Sequence, residues 1–196
     1  YFLNMEVLFK YLSSISIPVV WIFHDCWAMT GHCAHFDYVG CTKWLKQCEY
    51  CEQKKFYPGS YLQDRSFENY LLKRRLFTSV KNMTIVPVSN WLGSIVSQSF
   101  LRDYPVEVIQ NGIDLGLFSP QNSQCINRMK IRLELSEHSV VLLGVASTWD
   151  QRKGLYDFIQ LYDIIPSEWE IVLVGLSKSQ IKKLPAGIIG IERTEN

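Results

Sequence analysis

SVVLLGVASTWDQRKGLYDFIQLYDIIP, residues 139–166, holds an apolar run, a polar turn and a helix-like segment in direct succession. The run SVVLLGVA (139–146) is β-branched and nearly continuous in its apolarity, as in a strand covered on both faces of a parallel sheet. KGLYDFIQLYDII (153–165) repeats its apolar residues at helical spacing and stops at Pro166. EIVLVG (170–175) then resumes the strand pattern.

Working outward, runs of the same kind recur at PVVWIF (18–23), MTIVPV (83–88), VEVIQ (106–110) and GIIGIE (187–192). Helix-like segments lie between most of them. SNWLGSIVSQSFLRD (89–103) starts at Ser89, a good N-cap residue, and SFENYLLKRRLFTSV (66–80) is a second candidate. Apolar positions 2, 5, 8, 9 and 12 of YFLNMEVLFKYL predict an amphipathic helix buried on one face. Alternating strands and helices imply α/β architecture with helices on both faces of the sheets. QNGIDLGLFSPQNS (110–123) is the richest turn-forming stretch outside the cysteine region, so a domain boundary is expected there, dividing the chain into 1–111 and 112–196.

The 196 residues are 47% hydrophobic and 20% charged with net charge +1, which excludes a disordered or fibrous chain. A charge so near zero argues against a nucleic-acid partner, because a phosphate-tracking surface shows as a basic excess. No apolar run approaches the ~18–20 residues of a spanning helix. The opening segment carries Glu6 and Lys10 and lacks a signal-peptide cleavage site. The chain starts at Tyr1 and stops just after the strand-like GIIGIERTEN (187–196), so it is expected to be a fragment.

Arg152, Lys153 and Gly154 open the helix in this reading. Two cations at a helix N-terminus oppose the macrodipole, where a purely structural design would place an acid. An anion docked on the free amides and held by both cations removes the conflict, and a nucleotide diphosphate is the natural candidate. The alternative is two solvated side chains pointing away, at a cost on the order of tenths of a kcal/mol.

His24 follows PVVWIF, and ligands of open α/β sheets bind beyond the carboxyl ends of strands. Its imidazole is suited to a sugar hydroxyl, with Asp25 either holding its tautomer or satisfying a turn. The alternative is a half-buried histidine bonded to backbone.

Five of the six cysteines lie within 26–51, four of them spaced Cys33-x7-Cys41-x6-Cys48-x2-Cys51. A Cys-x2-Cys pair places two thiolates on one tetrahedral ion, and Cys33 and Cys41 complete a four-sulfur structural zinc site. His32, His35 and Cys26 are substitutes. A long irregular loop inside a domain needs something to pin it. Disulfides, packed unligated thiols and a redox Cys-x2-Cys are the competing readings. Zinc here would be a brace, since four sulfurs close its shell.

Several of these segments together resemble a known family. VIQNGIDLGLFSP (108–120) resembles the NG-[IV]-D…F-x-P signature of the family 4 retaining glycosyltransferases. VPVSNWLGSIV (86–96) is similar to the strand-then-Ser segment before it, and GVASTWDQRKGL (144–155) to the family's donor-phosphate loop ending in Lys-Gly. VVWIFHDCWAMTGHC (19–33) resembles a branch that builds capsular and other surface polysaccharides, with a cysteine-rich insertion after the His-Asp. The motifs occur in the family's order.

The resemblance implies two Rossmann-like domains of the GT-B type, both incomplete in this chain. Residues 1–111 would be the C-terminal part of the acceptor-side domain, with a cysteine-rich insertion at 26–60. Residues 112–196 would be the N-terminal part of the donor domain. The implied activity is transfer of a sugar from a nucleotide-sugar donor to an acceptor hydroxyl, with retention, in capsular or exopolysaccharide synthesis. His24 falls on the family's first-domain histidine, which contacts the transferred sugar or acceptor. Lys153 falls on the phosphate-binding lysine and Gly154 on the glycine after it. The family's arginine in a G-R-L context is replaced by GVAST, leaving Arg152 as the substitute from the other side of the loop. No cofactor is required for catalysis; zinc enters only as the structural candidate.

Neither the family's glycine-rich opening loop nor its paired-glutamate E-x7-E motif is found, so the fragment alone is expected to be inactive or nearly so. The implied acceptor is a saccharide or lipid-linked saccharide, and the implied location is the cytoplasm at the inner membrane face, with peripheral membrane association. The basic run KRR (73–75) suits such a surface or a solvated helix face. The rival reading is a zinc-stabilised α/β binding or interaction module without catalysis.

Overall fold

In a computed structural model, residues 3–60 and 62–193 are described. Phe2, expected on the buried face of the first helix, lies outside them, as do residues 194–196 of the closing run. The chain divides into two compact units, Tyr1–Ile113 and Asp114–Asn196.

The first unit opens with helix α1 (Met5–Ser14), whose first turn is capped by the Asn4 carboxamide accepting from the Val7 amide at 3.1 Å. Strand β1 (Val19–Phe23) pairs in parallel with β2 (Met83–Pro87), Val19 opposite Met83 and Phe23 opposite Pro87. Helix α2 (Ser66–Phe77) leads into β2, and α3 (Asn90–Gln98) leaves it. Ser89 caps α3, its hydroxyl accepting from the Leu92 amide at 3.1 Å.

The expected strand at 106–110 forms only a single bridge, Val106 with Ile85. Its ladder is present in outline: Glu107 N–H donates to Ile85 O at 3.0 Å and Ile109 N–H to Pro87 O at 3.2 Å. Residues 107–110 are exposed, so no packed face holds them flat. The core of the unit is aromatic. Phe9 of α1 and Phe77 of α2 stand 4.5 Å apart between ring centres, and Trp21 of β1 lies 5.2 Å from Phe9 and 4.8 Å from Phe77.

The second unit begins with helix α4 (Ser123–Arg132), which the sequence reading did not anticipate. It continues through β3 (Val140–Val145), α5 (Leu155–Tyr162), β4 (Trp169–Leu176), the short α6 (Lys178–Ile181) and β5 (Ile188–Glu192). The three strands are parallel in the order β3-β4-β5, with Leu142 opposite Ile171 and Ile171 opposite Ile188. Ile171, Val172 and Leu173 of the central strand are buried. β3 departs from the expected two-sided cover, since Leu143 and Val145 are exposed. Among the described residues, no helix is long and apolar enough to cross a membrane.

Candidate functional site

In the second unit the polar turn after β3 is anchored by Trp149. Its indole is buried, donates Nε1–H to Val174 O at 2.8 Å and meets Phe158 edge-on at 5.7 Å. The carbonyl of Trp149 accepts from the Gln180 carboxamide at 2.9 Å. Close approach explains Gly144: a Cβ there would come within 2.7 Å of both Leu173 and Trp149. The anchor escaped the sequence reading, although a tryptophan in an otherwise polar turn was the available signal.

Beyond Trp149 lies a short 3-10 turn, Gln151–Lys153, capped by Asp150, whose Oδ1 accepts from the Lys153 amide at 2.9 Å. Gly154 adopts a left-handed φ of 77° and redirects the chain into α5, which has no side-chain cap. This corrects the expected helix start. Arg152 and Lys153 belong to the turn before α5, and the first turn of α5 carries an acid, Asp157, as the macrodipole prefers. The cations therefore do not oppose the dipole, and the electrostatic argument for an anion from that conflict falls away.

The side chains remain suited to an anion. Lys153 is exposed and its ammonium has no hydrogen-bond or ion-pair partner among the described residues. Arg152 leans towards Asp150 at 3.8 Å, a solvent-exposed pair of small energetic weight. Arg152, Lys153 and the start of α5, which has no side-chain cap, thus follow one another beyond the carboxyl end of a parallel strand, where α/β sheets bind ligands. A separate apolar cavity of about 610 Å³ lies between α4 and the β3 face. Its lysine, Lys130, is already committed to the carbonyls of Glu137 at 2.7 Å and Ser139 at 2.9 Å.

In the first unit His24 is exposed directly after β1 and has no hydrogen-bond partner among the described residues. Asp25 does not hold it: the Asp25 carboxylate accepts from the Trp27 amide at 2.8 Å and so satisfies the turn. Behind that turn is Lys73, which is buried, contrary to the solvated or membrane-facing role expected for the KRR run. Only Arg74 and Arg75 of that run are exposed, and Arg75 pairs with Glu6 at 2.8 Å.

The cysteine segment consists of three short 3-10 turns, at Trp27–Met29, Asp37–Val39 and Lys43–Leu45, joined by bends. Cys33 and Cys48 are buried, and Cys41 and Cys51 are half-buried. The Cys33 sulfur shares a hydrogen bond with that of Cys51, and Cys48 and Cys41 are near enough to act on it electrostatically. That bond, then burial, pushes the Cys33 thiol far up, while the same bond pulls Cys51 down to about 7. Burial pushes Cys48 up to about 11 and Cys26 up to about 12. The substitutes fare differently, as His32 is engaged through Nε2 with Lys54 O at 3.1 Å. The thiols are gathered but not drawn to one point: no group of three or more His, Cys, Asp or Glu among the described residues is set to hold a metal ion.

No protein-family profile matches the chain. It is 28% identical, over 123 residues, to an Escherichia coli (strain K12) protein provisionally assigned as the colanic acid biosynthesis glycosyl transferase WcaC. That alignment takes in 59% of this chain and 29% of the relative. The chain is also similar to sucrose-phosphate synthase from Thermosynechococcus elongatus, with a TM-score of 0.61 and 15% identity, covering 100% of this chain and 44% of that structure. The chain therefore spans less than half the length of either protein, and the structural likeness shows the fold, an α/β arrangement of the two-domain GT-B type.

Proposed function

We propose that this chain is part of a retaining family 4 glycosyltransferase that moves a sugar from a nucleotide-sugar donor to an acceptor hydroxyl in surface polysaccharide synthesis. The observation that carries the reading is the Arg152–Lys153–Gly154 turn beyond β3, in which a lysine without a partner among the described residues immediately precedes a helix start with no side-chain cap. The similarity to a colanic acid glycosyl transferase supports the substrate class.

In this reading the second unit binds the donor and the first, through His24, faces the sugar or acceptor. The bond from the anomeric carbon to the diphosphate breaks as the acceptor oxygen bonds to the same sugar face. The departing diphosphate takes the acceptor proton, so no strong protein nucleophile is needed. Lys153, the α5 amides and Arg152 stabilise the charge growing on the leaving group, and His24 orients a hydroxyl. The acceptor is a saccharide or lipid-linked saccharide met at the cytoplasmic membrane face.

Saturation-transfer and phosphorus NMR of this chain with UDP-, GDP- and ADP-sugars test the reading. Binding of one nucleotide class, weakened by Lys153→Ala, supports it. A folded chain that binds no nucleotide sugar overturns it, and leaves the non-catalytic binding module as the better account.

A further inference from the structure

The sugar transfer proposed above assigns no role to the cysteine segment, yet its sulfurs are surrounded by more than apolar packing. The Cys48 sulfur accepts from the backbone N–H of Gly31. The Cys51 sulfur accepts from the backbone N–H groups of Gln53 and Cys33. Thiols packed as small hydrophobes have no need of such donors.

A second, independent feature is the cation. Lys73 is only 6% exposed, and its charge acts on both Cys48 and Cys33. Four thiolates on one divalent ion leave a net charge of two minus, which is costly to bury without compensation. Amide donors and a buried ammonium supply that compensation here. The backbone is shaped to the same end. A Cβ on Gly31 would stand 2.8 Å from the Cys48 Cβ and would collide with the Ser66 carbonyl, so only glycine permits the approach. Tyr50, between Cys48 and Cys51, takes a left-handed φ of 47° that tightens their two-residue link.

We propose that Cys33, Cys41, Cys48 and Cys51 bind one structural zinc ion as a tetrathiolate compensated by Lys73. Cys33 and Cys51, already hydrogen-bonded, are near neighbours as ligands of one tetrahedral ion must be. Bringing the sulfurs to a common point needs a local rearrangement, since no three such groups among the described residues are set to hold a metal ion, and the turn bearing Cys41 has room for one. That turn can give way: Gly40 beside it has nothing within 4 Å of a Cβ, and Thr42 is exposed. On binding, four S–H protons pass to solvent as four Zn–S bonds form, and no electron moves. The ion closes its shell with protein sulfur and braces a segment that has neither α-helix nor strand between Asp25 and Arg65 among the described residues.

The test is the metal content of the chain purified without added metal, followed by replacement of zinc with cobalt. About one zinc per chain is expected, with cobalt giving the visible absorption of a tetrahedral thiolate site. Cys41→Ser and Cys48→Ser should each lose the ion, while Cys125→Ser, in the other unit, should keep it. If Cys48→Ser does not fold, the wild-type cobalt spectrum and the exposed-turn variant Cys41→Ser still decide. Wild-type protein that takes up neither metal, or carries disulfides among these four cysteines, overturns the proposal. So does full zinc retention in Cys41→Ser.

Discussion

The Lys73 ammonium stands 3.5 Å from the centre of the Trp27 ring and donates to the carbonyl oxygens of Trp27 at 2.7 Å and Thr30 at 2.9 Å. One side chain of α2 thus clamps the turn that begins at His24, directly after β1. Burial pulls its pKa down to about 7, against which the nearby Cys48, Cys33 and Asp25 act in the opposite sense.

Replacing Lys73 with Met keeps most of the volume but leaves two carbonyls without their donor and removes the cation from the ring. The expected loss is ~2–4 kcal/mol of unfolding free energy. Urea unfolding followed by tryptophan fluorescence measures it. A Met variant as stable as wild type would show that the clamp carries no weight.

This clamp marks the limit of what the sequence discloses. Strands were legible because Val- and Ile-rich runs such as MTIVPV (83–88) differ from everything around them. The Ser89 cap was legible because capping is local. Lys73 was not, since its acceptors lie 43 and 46 residues away in sequence and nothing in the KRR run marks which cation turns inward. Helix α4 was missed because SQCINRMKIR is mostly polar and buries no residue: Cys125, Ile126 and Met129 make a regular but narrow apolar stripe that its low hydropathy conceals. At the candidate site, Lys153 and Gly154 were singled out by resemblance. The supports given by Trp149 and Asp150 depend on a carbonyl of β4 and on turn geometry that spacing does not reveal.

Trp149 provides the second prediction. Trp149→Phe keeps an aromatic ring but loses the Nε1–H bond to Val174 O, for an expected cost of about 1 kcal/mol. Trp149→Ala also opens a cavity beside Phe158, for an expected cost of ~3–5 kcal/mol. Thermal or urea unfolding of the two variants separates these terms, and equal losses would contradict the assignment.

Tyr104 gives a pH dependence. Its hydroxyl proton is shared between Phe77 O at 3.0 Å and Val80 O at 2.7 Å, and burial raises its pKa. A phenol whose folded pKa exceeds its unfolded value of about 10 contributes stability that is complete below pH ~10. That stability is lost as the pH rises from the unfolded pKa through the folded one. Tyr104→Phe should therefore be less stable than wild type at neutral pH and lose less as the pH rises above ~10. Unfolding curves at pH 8 and above ~10 test the difference, and parallel losses in both proteins would remove Tyr104 as the cause.

The last prediction concerns Lys153 in an intact enzyme. Its ammonium is unpartnered among the described residues, whereas Arg152 is drawn towards Asp150 at 3.8 Å. If both face a leaving diphosphate, the free lysine has more of its charge to give to the transition state. Lys153→Ala should then lower kcat by about a hundredfold, the scale seen when one preorganised donor to a developing negative charge is removed. Acceptor KM should change little, because the acceptor does not contact this turn in the proposed scheme. Arg152→Ala should cost less, and Lys153→Arg should recover part of the rate because the charge returns in a different shape. Steady-state kinetics with donor and acceptor varied separately distinguishes the cases. Unchanged kcat with donor and acceptor KM raised together would mean that Lys153 serves ground-state binding and not departure of the diphosphate.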